Sequence, residues 1–297
     1  MAKLKPMIFD FSEYPNTAKG FREFCVASLQ KSYQIYRFRL ENIIKEYSEA
    51  NVHDFRVSSR RFIATLNMVY HFFPTPYIKR LRKLVKKHLK ILSRLRDIQV
   101  MSISTSKLKL QFPIFFEFLI YLQRLEYELI NSHKEYFSKI QLWEIADDVF
   151  HLIRTIKYEM NELNPTFDDL KDYILEEYKL LLEQKQLVNL QEIDTIHKLR
   201  IKNKKFRYLV ETTQPIFKKA KKICKILSTQ QNKMGAIQDV SVLIKEIDTF
   251  LSINPHLVTE FNPIKEFLEN YQKSLIMDFD KSSVILNNLT YFDLNEN

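Results

Sequence analysis

The sequence predicts an all-α protein, and three observations support this class. The 297 residues include only two glycines, Gly20 and Gly235. Sheets, sandwiches and barrels need many tight turns, and glycine supplies the positive backbone φ that such turns use. Apolar residues recur at helical spacing along most of the chain, and prolines fall between these segments, where they start or stop a helix. Long helices joined by short connections satisfy all three observations.

The helical periodicity predicts two series of helices. The first series comprises 17–47, 52–71, 76–95, a shorter helix after Asp97, and 113–140. The second series comprises 142–160, 166–187, 195–212, 215–227, 234–252 and 263–277. The division between the series predicts one helical bundle in 1–140 and a second in 141–297.

Two sequence blocks occur in both series and in the same order. VHDFRV, which begins at Val52, aligns with IHKLRI at Ile196 with an offset of 144, and the RRF that follows falls on KKF. LSRLRD at Leu92 matches MGAIQD at Met234 with an offset of 142. Because the offsets differ by only two residues, the blocks indicate a tandem duplication of a unit of about four helices.

Positive charge is concentrated in two stretches. Residues 53–96 contain twelve Lys or Arg against one acid, and residues 198–225 contain eleven against one, whereas the whole chain carries a net +10. The remainder of the chain is therefore acidic, at −11. Like charges repel one another and destabilise a fold, so two such segregated stretches indicate a polyanionic partner.

Each stretch begins with an amphipathic helix whose cations share one face. The face comprises His53, Arg56, Arg60 and Arg61 in the first half and His197, Arg200, Lys204 and Arg207 in the second. Asn51 and Asp194 are predicted N-caps, which places each histidine in the first turn of its helix. Free backbone amides and the helix dipole favour an anion there.

The helices that follow carry further rows of cations. These rows are Lys79, Lys83, Lys86, Lys87, Lys90 and Arg94 in the first half, and Lys218, Lys221, Lys222 and Lys225 in the second. Neighbouring members lie about 5 Å apart along the helix, from its 1.5 Å rise per residue, which suits a flexible chain of closely set phosphates. A solvated lysine face explains one such helix, but four matching basic helices with almost no acid favour a ligand.

Several kinds of chemistry find no support in the sequence. The glycine shortage rules out the phosphate-binding loops GxxxxGK[ST] and GxGxxG. Cys25 and Cys224 lie among apolar residues and form no CxxC pair, and His53 and His197 lack a second metal ligand at helical spacing. No nucleophile stands beside a base. We therefore predict no catalytic residues, no metal and no cofactor.

Two acids, Asp97 and Asp239, occupy matching positions in the duplicated blocks. One role predicted for them is to orient a neighbouring arginine or histidine through a charge-assisted hydrogen bond. The other is to cap a helix.

The duplicated H-x-x-R-x-x-x-[RK]-[RK] motif, with the LSRLRD and MGAIQD blocks, resembles the CHAD family over about residues 15–280. The resemblance implies two pseudo-symmetric four-helix bundles that share a basic surface for inorganic polyphosphate. It implies contacts from His53, Arg56, Arg60, Arg61, His197, Arg200, Lys204, Lys205 and Arg207. Two departures are Gln238, which stands where the first half has Arg96, and the lack of an ExExK motif, so we expect no attached triphosphate-tunnel domain.

We therefore expect a non-catalytic protein that binds inorganic polyphosphate. Binding should weaken with salt as counterions are released, and it should strengthen as pH falls through about 6.5 if the histidines contact phosphate. RNA or DNA binding through the same surface is the alternative, disfavoured because Tyr208 is almost the only aromatic residue on the basic faces. An enzyme that cleaves or transfers phosphate is a third possibility.

The sequence favours a cytoplasmic location, and the predicted ligand implies association with polyphosphate granules. The N-terminus lacks the apolar core of a signal peptide. The longest apolar run, 112–122, falls short of the roughly 20 residues that span a membrane.

Overall fold

The computed structural model describes residues 13–160, 162–217 and 219–289. These residues form ten α-helices and no β-strand, which confirms the all-α prediction. The helices are α1 (Ala18–Lys45), α2 (Glu49–Phe72), α3 (Pro76–Ile91), α4 (Ser93–Leu108), α5 (Phe115–Ser138), α6 (Leu142–Arg154), α7 (Phe167–Gln186), α8 (Ile193–Thr212), α9 (Ala220–Ile253) and α10 (Val258–Ser283). A π-helical turn, Thr155–Glu159, follows α6, and short 3₁₀ segments flank α10. None of the helices in these ranges is long and apolar enough to cross a bilayer.

The duplication is visible in the order of the helices. The first half consists of α1, α2, the pair α3–α4 and α5, and the second consists of α7, α8, α9 and α10. Helices α3 and α4 are separated only at Leu92, which leaves the helical conformation with ψ of 3°. In the second half α9 is unbroken over 34 residues. Helix α6 lies between the halves and packs on α3.

Three predicted helix boundaries are wrong. The predicted helix 76–95 is divided at Leu92, and the helices predicted at 215–227 and 234–252 are one helix. The intervening segment has neither proline nor glycine, and Gln230 is buried in it with its side-chain amide 3.1 Å from the Ser282 carbonyl. The last helix begins at Val258, five residues before the predicted start, so Pro263 lies inside it, where it lacks the N–H of the usual backbone hydrogen bond.

Two apolar cores hold the helices together. The larger core joins α1, α2, α7 and α8 through buried aromatic residues, among them Phe21, Phe55 and Phe167. The smaller core joins α4, α5, α9 and α10 and includes Phe118 and Phe261. Both cores contain residues from before and after residue 140, so the two halves of the duplication share their interiors.

One polar pair lies inside the larger core. His88 of α3 is fully buried, and its Nδ1 lies 2.7 Å from the hydroxyl of Tyr36. Burial, with the charge of Lys87, lowers the pKa of His88 to about 4. The ring is therefore neutral at neutral pH, and the tyrosine satisfies one of its two nitrogens.

Replacing Tyr36 with phenylalanine should destabilise the fold by about 1–3 kcal/mol, because the change leaves a buried histidine nitrogen without a partner. Urea unfolding followed by circular dichroism measures the loss. Tyr127→Phe is the matched control, since the Tyr127 side chain is 68% exposed. Equal stability of the two variants would contradict a structural role for the Tyr36–His88 pair.

Candidate anion-binding cleft

Helices α2 and α8 pack side by side, and with α4 and the middle of α9 they enclose a cleft of about 830 Å³. Its lining is strongly cationic, with eight Lys or Arg side chains and two histidines against two carboxylates. The cations are Arg56, Arg60, Arg61, Arg96, Arg200, Lys204, Lys205 and Arg207, the histidines are His53 and His197, and the acids are Asp97 and Asp239. Each half of the duplication contributes to all three groups.

The structure gathers one part of the predicted site and leaves the other part outside the cleft. All nine contact residues implied by the family resemblance line the cleft. The other predicted cations have exposed side chains and lie outside the cleft; they are Lys79, Lys83, Lys86, Lys87 and Lys90 of α3, Arg94 of α4, and Lys221, Lys222 and Lys225 of α9. Lys218 lies outside the described residues.

The predicted N-caps are wrong. Helix α2 begins at Glu49, and the side chain of Ser48 accepts the cap hydrogen bond. Helix α8 begins at Ile193, so Asp194 is already helical. Both histidines therefore stand fifth in their helices, one turn further in than predicted. The free amides of the first turn do not face the position that either histidine occupies.

Four cations in the cleft lack an acidic partner. Within the described residues, Arg56, Arg60, Arg200 and Lys204 form no ion pair. They are equivalent in pairs, since Arg56 corresponds to Arg200 and Arg60 to Lys204 at the offset of 144. A buried charge without a counterion costs stability. The interior of the cleft is therefore set up to accept negative charge.

Arg56 is held in place by neutral groups. Its side chain is 8% exposed, and Nη1 donates to the Leu89 carbonyl at 2.8 Å and to Ser93 Oγ at 3.2 Å. Burial, followed by repulsion from Arg60, lowers its pKa to about 10. The guanidinium remains charged at neutral pH, and its orientation is fixed before any ligand arrives.

Arg200 occupies the equivalent place in the second half with fewer partners. Its Nε is buried and donates to no partner among the described residues, and Nδ1 of His197 is likewise buried without a hydrogen-bond partner. Gly235 stands where the first half has Ser93, and a Cβ there would lie 3.2 Å from Nη2 of Arg200. Glycine thus makes room for this guanidinium and leaves it without the hydroxyl that Arg56 has.

Lys204 is the cation whose charge is most weakened. Burial, followed by repulsion from Arg200, Arg60 and Arg56, lowers its pKa to about 7. An anion in the cleft would oppose these effects and restore the proton. Burial and Arg96 also lower the pKa of His53. Lys204 therefore titrates near neutral pH, which the sequence prediction based on histidines did not anticipate.

The other four cations that line the cleft, the rim cations, are paired with acids. Arg61 and Arg207 share Glu211 at 2.9 and 2.8 Å, and Lys205 donates to Glu177 at 2.5 Å. Arg96 is paired with Glu49. These acids are distant in sequence from most of their partners, so the rim carries less net charge than the sequence alone indicates.

Asp97 and Asp239 do not take either predicted role in the described structure. Asp97 is the fifth residue of α4 and Asp239 lies in the middle of α9, so neither caps a helix. Neither makes a hydrogen bond to the described residues. Burial raises the pKa of both carboxyls, while Arg56 opposes this most for Asp97 and Arg200 for Asp239. They act on the cleft through their charge.

Sequence reasoning missed the uncharged polar wall of the cleft. Ser228, Gln231 and Asn232 of α9 line it, and Gln231 accepts a hydrogen bond from Arg207 at 3.0 Å. Extending the offset of 142 places them on Lys86, Leu89 and Lys90 of α3. This correspondence to the basic row of α3 could have indicated that the three residues face the ligand. The break predicted between 227 and 234, however, placed them outside any helix.

The fold and the cleft define a duplicated helical protein with a cationic cleft between its halves. The CHAD domain profile matches residues 27–248, and the chain belongs to the CHAD domain family. The crystal structure of the CHAD domain from the plant Ricinus communis has the same fold, with a TM-score of 0.74 and 17% identity, over 90% of this chain and 92% of that one. No curated protein matches the chain.

Replacing Lys204 with methionine should stabilise the free protein at pH 6. The folded pKa of Lys204, about 7, lies below its ordinary 10.5, so its unfavourable charge is fully present below pH 7 and fades as pH rises toward 10.5. Removing about 1 kcal/mol of this cost raises the melting temperature by roughly 2–4 °C.

The measurement is thermal unfolding at pH 6 and pH 9, and the gain should shrink at the higher pH. Lys245→Met is the control, because Lys245 is exposed on α9 and outside the cleft. A gain of the same size at both values would show that the lysine charge is not the cause.

Proposed function

We propose that the cleft binds inorganic polyphosphate and does not cleave it. The observation that carries this proposal is the group of four cations in the cleft, Arg56, Arg60, Arg200 and Lys204, that form no ion pair with any described residue. A ligand that supplies several negative charges removes the cost of gathering these cations. Membership of the CHAD family also supports polyphosphate as the ligand.

A chain of phosphates suits the arrangement better than one phosphate does. The unpaired cations come from both walls, with Arg56 and Arg60 on α2 and Arg200 and Lys204 on α8. A linear polyphosphate carries a negative charge on each unit and can meet both walls at once. Its oxygens accept the charge-assisted hydrogen bonds that guanidinium and ammonium groups donate.

Nucleic acid is the less favoured ligand because, among the described residues, Tyr208 is the one Phe, Tyr or Trp ring that lines the cleft, and it is buried. Tyr208 is 4% exposed, and the guanidinium of Arg207 lies 4.4 Å from its ring centroid. The exposed aromatic residues Trp143 and Phe150 lie on α6, outside the cleft. Recognition of single strands uses bases stacked on accessible aromatic rings.

The proposal of binding without catalysis rests on the chemistry of the cleft hydroxyls. A nucleophile needs a base within hydrogen-bond reach. Ser93 Oγ instead donates to the Leu89 carbonyl at 2.8 Å and accepts from Arg56.

The proposal extends to a cytoplasmic location at polyphosphate granules.

The double variant Arg60→Ala, Lys204→Ala should bind polyphosphate about 30-fold or more weakly, because two charge-assisted contacts are lost. Isothermal titration calorimetry in low salt measures the affinity. The control is Lys245→Ala, Lys273→Ala, which removes the same charge from exposed positions outside the cleft. Equal losses in the two variants would mean that net charge, and not this cleft, determines binding.

Competition distinguishes polyphosphate from nucleic acid. Fluorescent polyphosphate bound to the protein should resist displacement by single-stranded RNA at matched phosphate concentration, because the cleft provides no stacking. Displacement by RNA at equal or lower concentration would favour the nucleic-acid alternative.

Incubation with polyphosphate and Mg²⁺ should release no inorganic phosphate above the level of a blank without protein. Malachite-green detection follows the release. Release that Arg60→Ala, Lys204→Ala removes would instead assign an enzymatic activity to the cleft.

A further inference from the structure

The basic row of α3 lies on the helix that packs against the α2 wall of the cleft. Helices α2 and α3 are antiparallel neighbours: at one end Arg56 donates to the Leu89 carbonyl, and at the other the ring of Tyr70 contacts two cations of α3. Lys79 Nζ lies 5.8 Å and Arg82 Cζ lies 5.3 Å from the Tyr70 ring centroid.

Tyr70 connects this row to the cleft. It lies on α2 at helical spacing from Arg56, Ile63 and Asn67, all of which line the cleft. The edge of α3 that meets Tyr70 carries Lys79, and Lys86 follows on that edge at a spacing of seven residues. The cations on this edge therefore continue the positive surface outward from the α2 wall.

The lysines of this row are uncompensated. Helix α3 contains no acidic residue. Within the described residues, Lys79, Lys83, Lys86 and Lys90 form no ion pair, whereas Arg80 is paired with Asp148. From Lys79 to Lys90 the row extends for about 16 Å, at 1.5 Å per residue.

The edge of the cleft that α9 forms differs from the α3 side in its charge. Ser228 and Asn232 of α9 take the places that Lys86 and Lys90 have on α3, and they line the cleft as uncharged residues. Farther along α9, Lys221 and Lys225 take the places of Lys79 and Lys83. A polyanion that leaves the cleft therefore meets an unbroken row of four lysines over α3, whereas over α9 it first meets uncharged residues.

Resting on the proposed function, we infer that a polyphosphate chain longer than the cleft leaves it across α3, so that the protein prefers long chains to short ones. The cleft takes the first units of the chain, and the lysines of α3 take the units that follow. Each neutralised phosphate releases counterions, so longer chains gain affinity and a steeper dependence on salt.

The test compares tripolyphosphate with long-chain polyphosphate by calorimetry at two salt concentrations. The variant Lys79→Gln, Lys83→Gln, Lys86→Gln, Lys90→Gln should lose about tenfold or more in affinity for the long chain, with a shallower salt dependence. Its affinity for tripolyphosphate should change by less than about twofold, since the cleft is intact.

The control replaces Lys107, Lys134, Lys245 and Lys273 with glutamine, four exposed lysines outside the cleft and outside both basic rows. It should keep the preference for the long chain. Equal loss for both ligands in the α3 variant, or an equal loss of preference in the control, would overturn the inference. Failure of the unmodified protein to bind either phosphate chain would reject the proposed function itself.

Discussion

The structure depends on the gathering of positive charge where α2 and α8 meet. Burial there, followed by repulsion from Arg200, Arg60 and Arg56, lowers the pKa of Lys204 to about 7. A fold can tolerate such repulsion only if other interactions hold the two helices in place. The apolar cores supply that constraint, because each contains side chains from both halves of the duplication.

The acidic residues show how the fold limits the repulsion without removing it. Glu211 bridges Arg61 of α2 and Arg207 of α8, and Glu246 pairs with Arg94 at 2.7 Å across the two halves. These pairs surround the cleft and join its walls. Asp97 and Asp239 lie inside it, but they form no ion pair with any described residue. Ion pairing is therefore confined to the rim cations, and Arg56, Arg60, Arg200 and Lys204 keep an excess of positive charge.

Local patterns in the sequence were sufficient to find the helices and the basic faces, because periodicity and offsets are properties of neighbouring residues. They were insufficient for the rim, since the acid that pairs with Lys205 is Glu177, on another helix. The lowered pKa of Lys204 depends on cations from both α2 and α8. Helix ends also escaped prediction where Ser48, rather than Asn51, makes the cap. Each of these features depends on a contact that the periodicity of the sequence does not determine.

The two halves have diverged in the way they hold equivalent cations. Ser93 gives Arg56 a hydrogen-bond partner, whereas Gly235 gives Arg200 space and no partner. One guanidinium is therefore fixed by the protein, and the other retains donors for a ligand. A duplicated site with two fixed arginines would be rigid but largely satisfied, and one with two unsatisfied arginines would be less stable. Dividing the roles between the halves lets one wall define the cleft while the other keeps its capacity to bind an anion.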